Sequence, residues 1–208
     1  MQVPTSETPA LDEAGVKAKT GKTLKQWFAL LEGRDDVKKG RRECVQVLYG
    51  EHELDEWWAV TVSIEYERAK NLVEKDGKPR GYSICSTKTI AAPLERVFQS
   101  FGEAQLLSHW LGPQAKASLT DGGGFETADG DRGTFTRVRA NKDLRIAWEH
   151  GSLAPGTQVE VLFADKGKGK TGITLNHTRI QDRATADQVR VAWGAAFERL
   201  KALLEEKA

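Results

Sequence analysis

The chain has 208 residues, which at about 100–200 residues per domain leaves room for one or two domains. Thirty-one Lys and Arg face thirty Asp and Glu, for a formal charge of +1. Neither the part up to Arg80 nor the rest holds the basic surplus of a nucleic-acid binder or the acidic excess of a disordered tail. Hydrophobic residues at 39% and charged residues at 29%, with six Trp and seven Phe, describe a folded chain with a real core.

No apolar run approaches the ~20 residues of a membrane-spanning helix, so no membrane partner is expected. Met1–Ala10 is polar, carries Pro4 and Pro9, and lacks a charged-then-apolar leader. Residues 1–9 are therefore expected as a disordered start, and the protein as cytoplasmic. Cys44 and Cys85 stand alone in apolar neighbourhoods, without CxxC spacing, and read as reduced, buried thiols.

Helices are expected first. Leu11–Lys19 reads as a short helix stopped at Gly21. Thr23-Leu24-Lys25-Gln26 is a capping box opening a second helix with Leu24, Trp27, Phe28, Leu30 and Leu31 at helical spacing, ended by Gly33. Asp35 or Asp36 caps a third, with Val37, Cys44, Val45 and Leu48 on one face and Gly50 as its stop. A fourth element starts near Asp55. Its Val60–Glu67 stretch alternates as a strand would, yet Trp57, Val60, Thr61 and Ile64 fit a helix. No other segment before residue 80 alternates, so helix is preferred. These elements make a helical domain over 10–74. Asp76-Gly77-Lys78-Pro79-Arg80 closes a turn-rich linker over 75–80.

The texture changes after Gly81. Tyr82–Ile90 reads as a strand, and Pro93 sits where a helix begins. That helix presents Leu94, Val97, Phe98 and Phe101, and Glu103–Leu111 forms a second. Six strand-like runs follow: Ala115–Leu119, Gly124–Thr127, Gly133–Val138, Leu144–Glu149, Gln158–Phe163 and Gly172–Ile180. Turn residues between them set the spacing of an antiparallel meander. Thr185-Ala186-Asp187-Gln188, a second capping box, opens a long closing helix striped by Val189, Trp193, Ala196, Phe197, Leu200, Leu203 and Leu204. The fold class is α+β: a bent antiparallel sheet of about seven strands gripping one long C-terminal helix over 81–208, preceded by an all-α domain.

This order resembles the START/Bet v 1-like helix-grip (SRPBCC) superfamily, and within it the branch of activators of the heat-shock-protein-90 ATPase. The resemblance is carried by Thr89-Ile90-Ala91-Ala92-Pro93 with Val97-Phe98, then Trp110, Gly124-Phe125 and Gly133-Thr134-Phe135. It continues through Leu144-Arg145-Ile146-Ala147-Trp148, Gly172-Ile173-Thr174-Leu175-Asn176-His177 and Trp193-Gly194 to Leu204. An acidic Thr-Asp step common in the family reads Ser100-Phe101-Gly102 here. The front segment resembles a small helical domain of unknown function sometimes fused ahead of such domains. The resemblance implies a cavity between sheet and closing helix, and the branch name implies a chaperone partner.

Candidate chemistry is sparse. Thr20-Gly21-Lys22-Thr23 lacks the glycine and the preceding strand of a phosphate loop. Asp121-Gly122-Gly123-Gly124 reads as a turn that needs unusual dihedrals, and Lys166–Lys170 as a solvated hairpin tip. His52 reads as solvated, and the exposure of His109 stays open. No His, Cys or carboxylate pair has metal-ligand spacing, so neither metal nor cofactor is expected. Alternation places Leu144, Ile146, Trp148 and His150 on one strand face, and Ile173, Leu175 and His177 on another. His150 and His177 are thus the only catalytic candidates. Phe98, Trp110, Phe125, Phe135, Trp148, Phe163, Trp193 and Phe197 join them as the expected cavity lining.

The leading expectation is a non-enzymatic module that binds a small apolar or aromatic molecule. A protein-interaction module stimulating a chaperone ATPase is the first alternative. A cyclase- or isomerase-like enzyme using His150 or His177 is the second.

Overall fold

The computed structural model describes residues 11–74 and 77–206, so the start expected as disordered over 1–9 lies outside the described residues. Two compact units emerge. One runs to Tyr82 and includes Gln181–Ala184; the other comprises Ser83–Ile180 and the chain from Thr185.

The first unit is helical: α1 (Glu13–Thr20), α2 (Leu24–Leu31), α3 (Arg41–Gln46) and α4 (Glu56–Ala69). Gly21 ends α1 at φ 78°, a left-handed conformation that suits glycine. At α2, Thr23 Oγ1 accepts from the Gln26 amide at 3.2 Å while the Thr23 amide donates to Gln26 Oε1 at 2.9 Å. Both halves of the capping box are therefore made. Asp55 caps α4, accepting from the amides of Trp57 and Trp58. The alternating Val60–Glu67 stretch is thus helical. Trp27, Leu31, Leu48, Ala59 and Val62 form the core of this unit.

Two expectations for the helical part need correction. The third helix is not continuous. Val37–Lys39 makes a 3-10 turn, Gly40 at φ 143° breaks the path, and α3 runs on into a π turn over Val47–Glu51. Gly50 lies inside that turn rather than stopping a helix.

The second unit holds a seven-stranded sheet in the order β1-β7-β6-β5-β4-β3-β2. Its strands are β1 (Tyr82–Ile90), β2 (Lys116–Ala117), β3 (Gly124–Glu126), β4 (Arg132–Arg139), β5 (Asp143–Glu149), β6 (Thr157–Gly167) and β7 (Lys170–Ile180). Neighbours from β2 to β7 pair antiparallel. Two short helices, α5 (Leu94–Gln99) and α6 (Ala104–Trp110), follow β1, and α7 (Arg183–Glu205) closes the chain. The inward alternation on β5 holds, since Leu144, Ile146 and Trp148 are buried and Arg145 and Glu149 exposed. The buried stripe of α7 runs through Val189, Ala192, Trp193, Ala196, Phe197, Leu200 and Leu204. This is the bent antiparallel sheet with a long C-terminal helix that the α+β reading describes.

Two further expectations fail here. The closing helix starts two residues before Thr185, and the Asp182 carboxylate accepts from the Ala184 amide at 3.2 Å. Asp182, rather than Thr185, caps the helix start. Cys85 is exposed, because on β1 it shares the outward parity of Ser83 while Tyr82 and Ile84 point inward. Cys44 is buried beside Ser63, whose hydroxyl lies 3.0 Å from its sulfur.

Candidate functional site

The inner face of the sheet, the short helices α5 and α6, and the stripe of α7 bring nine of the ten expected lining residues into one chain of touching rings. Phe98 meets Phe163 edge-on at 5.4 Å between centroids, and Phe163 meets Phe101 at 5.2 Å. Phe101 meets Trp110 at 4.8 Å, and Trp110 meets Phe197 at 6.5 Å. From Phe197 the chain passes to Trp193, Trp148, Phe125 and Phe135, at 5.9, 5.0, 4.9 and 5.9 Å. His177 stands against both Trp148 and Trp193. Phe101 was not among the expected lining residues, although its place on the apolar face of α5's continuation marks it as inward.

A single glycine joins β3 to β5. Phe125 pairs with Gly133, and Gly133 pairs with Trp148. A Cβ at Gly133 would stand 2.4 Å from Phe125 Cε1 and 2.6 Å from Ile146 Cγ2. Its absence lets the Phe125 ring cross β4 and reach Trp148, two strands away.

The polar atoms along this chain are few and unequally served. Trp110 Nε1 donates to the Ser100 carbonyl at 2.9 Å. Trp193 Nε1 donates to His177 Nδ1 at 3.1 Å. Trp148 Nε1 and His177 Nε2 are buried with no hydrogen-bond partner. Burial pushes His177 down to about 3, so its ring is neutral at ordinary pH.

His150, the tenth residue, stands apart. It lies half-buried just past β5, where its Nδ1 accepts from the Ser152 amide at 3.1 Å and sits 2.6 Å from the Ser152 hydroxyl. Burial lowers its pKa. It borders a rim cleft of about 360 Å³ with Arg132, Glu149 and Pro155. The remaining histidines are spent locally. His109 is exposed, with Nδ1 2.7 Å from the Gln105 carbonyl. His52 stacks edge-on against Trp27 at 5.4 Å.

Two other clefts reach the ring chain from outside. One of about 230 Å³ is lined by Trp110, His109, Asp129 and Arg199, whose Nε donates to the Trp110 carbonyl at 3.0 Å. The other, about 510 Å³, touches Phe125 and Gly133 and is rimmed by Lys116, Glu126, Arg132 and Glu149. Those four residues lie in register across β2 to β5, with alternating charge. Among the described residues no helix is long and apolar enough to cross a membrane. Nor does any group of three or more His, Cys, Asp or Glu there offer a metal site.

Comparison with known proteins agrees with this architecture. The family model described as "Activator of Hsp90 ATPase homolog 1-like protein" matches residues 91–205. An HSP90 activator from Plasmodium falciparum superposes with a TM-score of 0.54 at 20% identity, over 60% of this chain and 97% of that one. The Aha1 dimer of Colwellia psychrerythraea gives 0.52 at 18%, over 60% and 96%. CalU16 from Micromonospora echinospora gives 0.51 at 23%, over 58% and 73%. At these identities the structures share the fold. No curated protein matches the chain.

Proposed function

The chain belongs to the Activator of Hsp90 ATPase homolog 1-like family, and from that membership and the ring-lined interior we propose that its sheet–helix unit binds a small apolar or aromatic molecule beneath α7, without itself performing a reaction. The observation that carries this reading is the continuous chain of rings from Phe98 to Phe135. Core packing needs buried apolar volume, but Leu, Ile and Val supply that as well as aromatic rings do. The Trp, Phe and His rings set among Leu, Ile and Val side chains of this interior offer flat, polarisable surface to a flat guest. The cleft at Trp110 and Arg199 meets this chain where α6 borders α7, which suits it as the way in.

The pairing of both histidines supports the non-catalytic reading. His177 Nδ1 already accepts from Trp193, so the neutral ring keeps its proton on Nε2 and has no free lone pair to offer. His150 faces Ser152 at the rim. The second reading, stimulation of a chaperone ATPase, is supported by the family's description and by the Plasmodium neighbour, not by a particular surface of this chain.

Native mass spectrometry of the purified protein, followed by thermal melts with polycyclic aromatics and lipids, tests the first reading. A retained small molecule, or a rise of several degrees in Tm with one ligand class, is expected. Melts unmoved by every class, with no retained mass, would overturn it. A changed ATPase rate of a purified chaperone in that case would establish the second reading.

A further inference from the structure

The rings of Trp148, Trp193 and His177 are mutual neighbours, 5.0–6.3 Å apart between centroids, and carry three N–H groups with one acceptor among them. An indole nitrogen only donates. The bond from Trp193 therefore makes His177 Nδ1 the acceptor, and the neutral imidazole carries its proton on Nε2. That leaves His177 Nε2–H and Trp148 Nε1–H as donors, both sealed from solvent and neither with an acceptor. The two rings lie 6.0 Å apart between centroids. A buried donor left unmade costs more than a made hydrogen bond returns. Two such donors in neighbouring rings describe a site finished by something that accepts.

We propose that the ring-lined interior recognises its ligand through a neutral carbonyl-type oxygen, as in a ketone, quinone, ester or amide, that accepts from Trp148 Nε1–H and His177 Nε2–H. This inference rests on the ligand-binding reading above and names the chemistry of the same site. An sp² oxygen has two lone pairs, one for each donor. A carboxylate or phosphate would leave water for rings that carry no formal charge, and two neutral donors do not offset that desolvation. A plain hydrocarbon fills the same space and leaves both donors unpaired.

The test uses the full chain, ¹⁵N-labelled, with 1-indanone and indane, two guests of one ring frame that differ by a carbonyl. Apolar transfer alone favours indane, since the ketone must shed its hydration. The proposal expects the reverse order, with indanone bound at least about tenfold more tightly. It also expects a downfield shift of the Trp148 indole N–H resonance on adding indanone. Trp148→Phe should weaken indanone about tenfold more than it weakens indane, since the lost packing is common to both guests and the lost donor is not. If that variant does not fold, the ranking and the indole shift in the unmodified protein decide the matter. Equal or reversed ranking, or an indole resonance unmoved by bound indanone because a resident water already serves it, overturns the carbonyl inference and leaves ligand binding standing. Failure of every hydrocarbon and ketone of one to three rings to bind overturns the ligand-binding reading beneath it.

Discussion

His177 couples the stability of the ring-lined interior to pH through a proton that the folded chain refuses. Its ordinary value is 6.5, and in the fold burial lowers it to about 3. Below about pH 6.5 the unfolded chain takes up a proton that the folded chain does not, so stability falls as pH falls from there towards 3. Between pH 7 and pH 5 this single group should remove about 2 kcal/mol. Urea midpoints at the two pH values check it, with His177→Gln as the control, and the variant should lose less than the parent. An equal loss in both would take the imidazole out of the account. The alternation of Gly172–His177 makes the inward face of His177 readable in the sequence. The solvation and pairing of its two nitrogens are not readable there, because Trp193 comes from a helix and Trp148 from another strand.

Among the elements, the sheet depends on small residues at its crossings. Gly133 is the clearest case, since Phe125 and Ile146 already occupy the space a side chain would take. Gly133→Ala should therefore cost about 1–3 kcal/mol and separate Phe125 from Trp148. A thermal melt and the near-ultraviolet circular dichroism of the variant measure both effects, and an unchanged melt would show that β4 yields easily. The β6–β7 hairpin turns on Lys168 and Gly169, at φ 55° and 66°. Two successive positive values match the twist of the strands they join. That turn was legible as a Gly- and Lys-rich tip. The break at Gly40 was not. A glycine between two helix-compatible stretches is tolerated as often as it interrupts, and only its φ of 143° decides.

For the whole molecule, two compact units follow each other along the chain, and the boundary falls between Tyr82 and Ser83, with Gln181–Ala184 assigned to the helical unit. The sequence places a boundary at residues 75–80, with the second domain over 81–208. We expect a fragment of residues 81–208 to melt cooperatively and to keep the aromatic circular dichroism of its ring chain. Its interior is contributed by β1 to β7 and α5 to α7. A fragment with no cooperative melt would move the boundary. The helical unit has its own core around Trp27, Leu48 and Val62. Glu67 is buried there and paired with Arg41 and Arg80. A carboxylate buried in this way costs less to keep than to strip of its partners.

Local rules by themselves determined the order of elements, the capping box at Thr23, the inward faces of β5 and β7, and the family resemblance of the sheet–helix unit. Those properties depend on neighbours a few residues apart, where periodicity and capping act. Tertiary structure alone decided that nine of the candidate residues touch in one chain while His150 does not. It also decided that Cys85 faces outward, that Asp182 caps α7, and that two ring N–H groups lack an acceptor. Each of those outcomes depends on which side chains from distant strands and helices compete for one buried volume or one hydrogen bond.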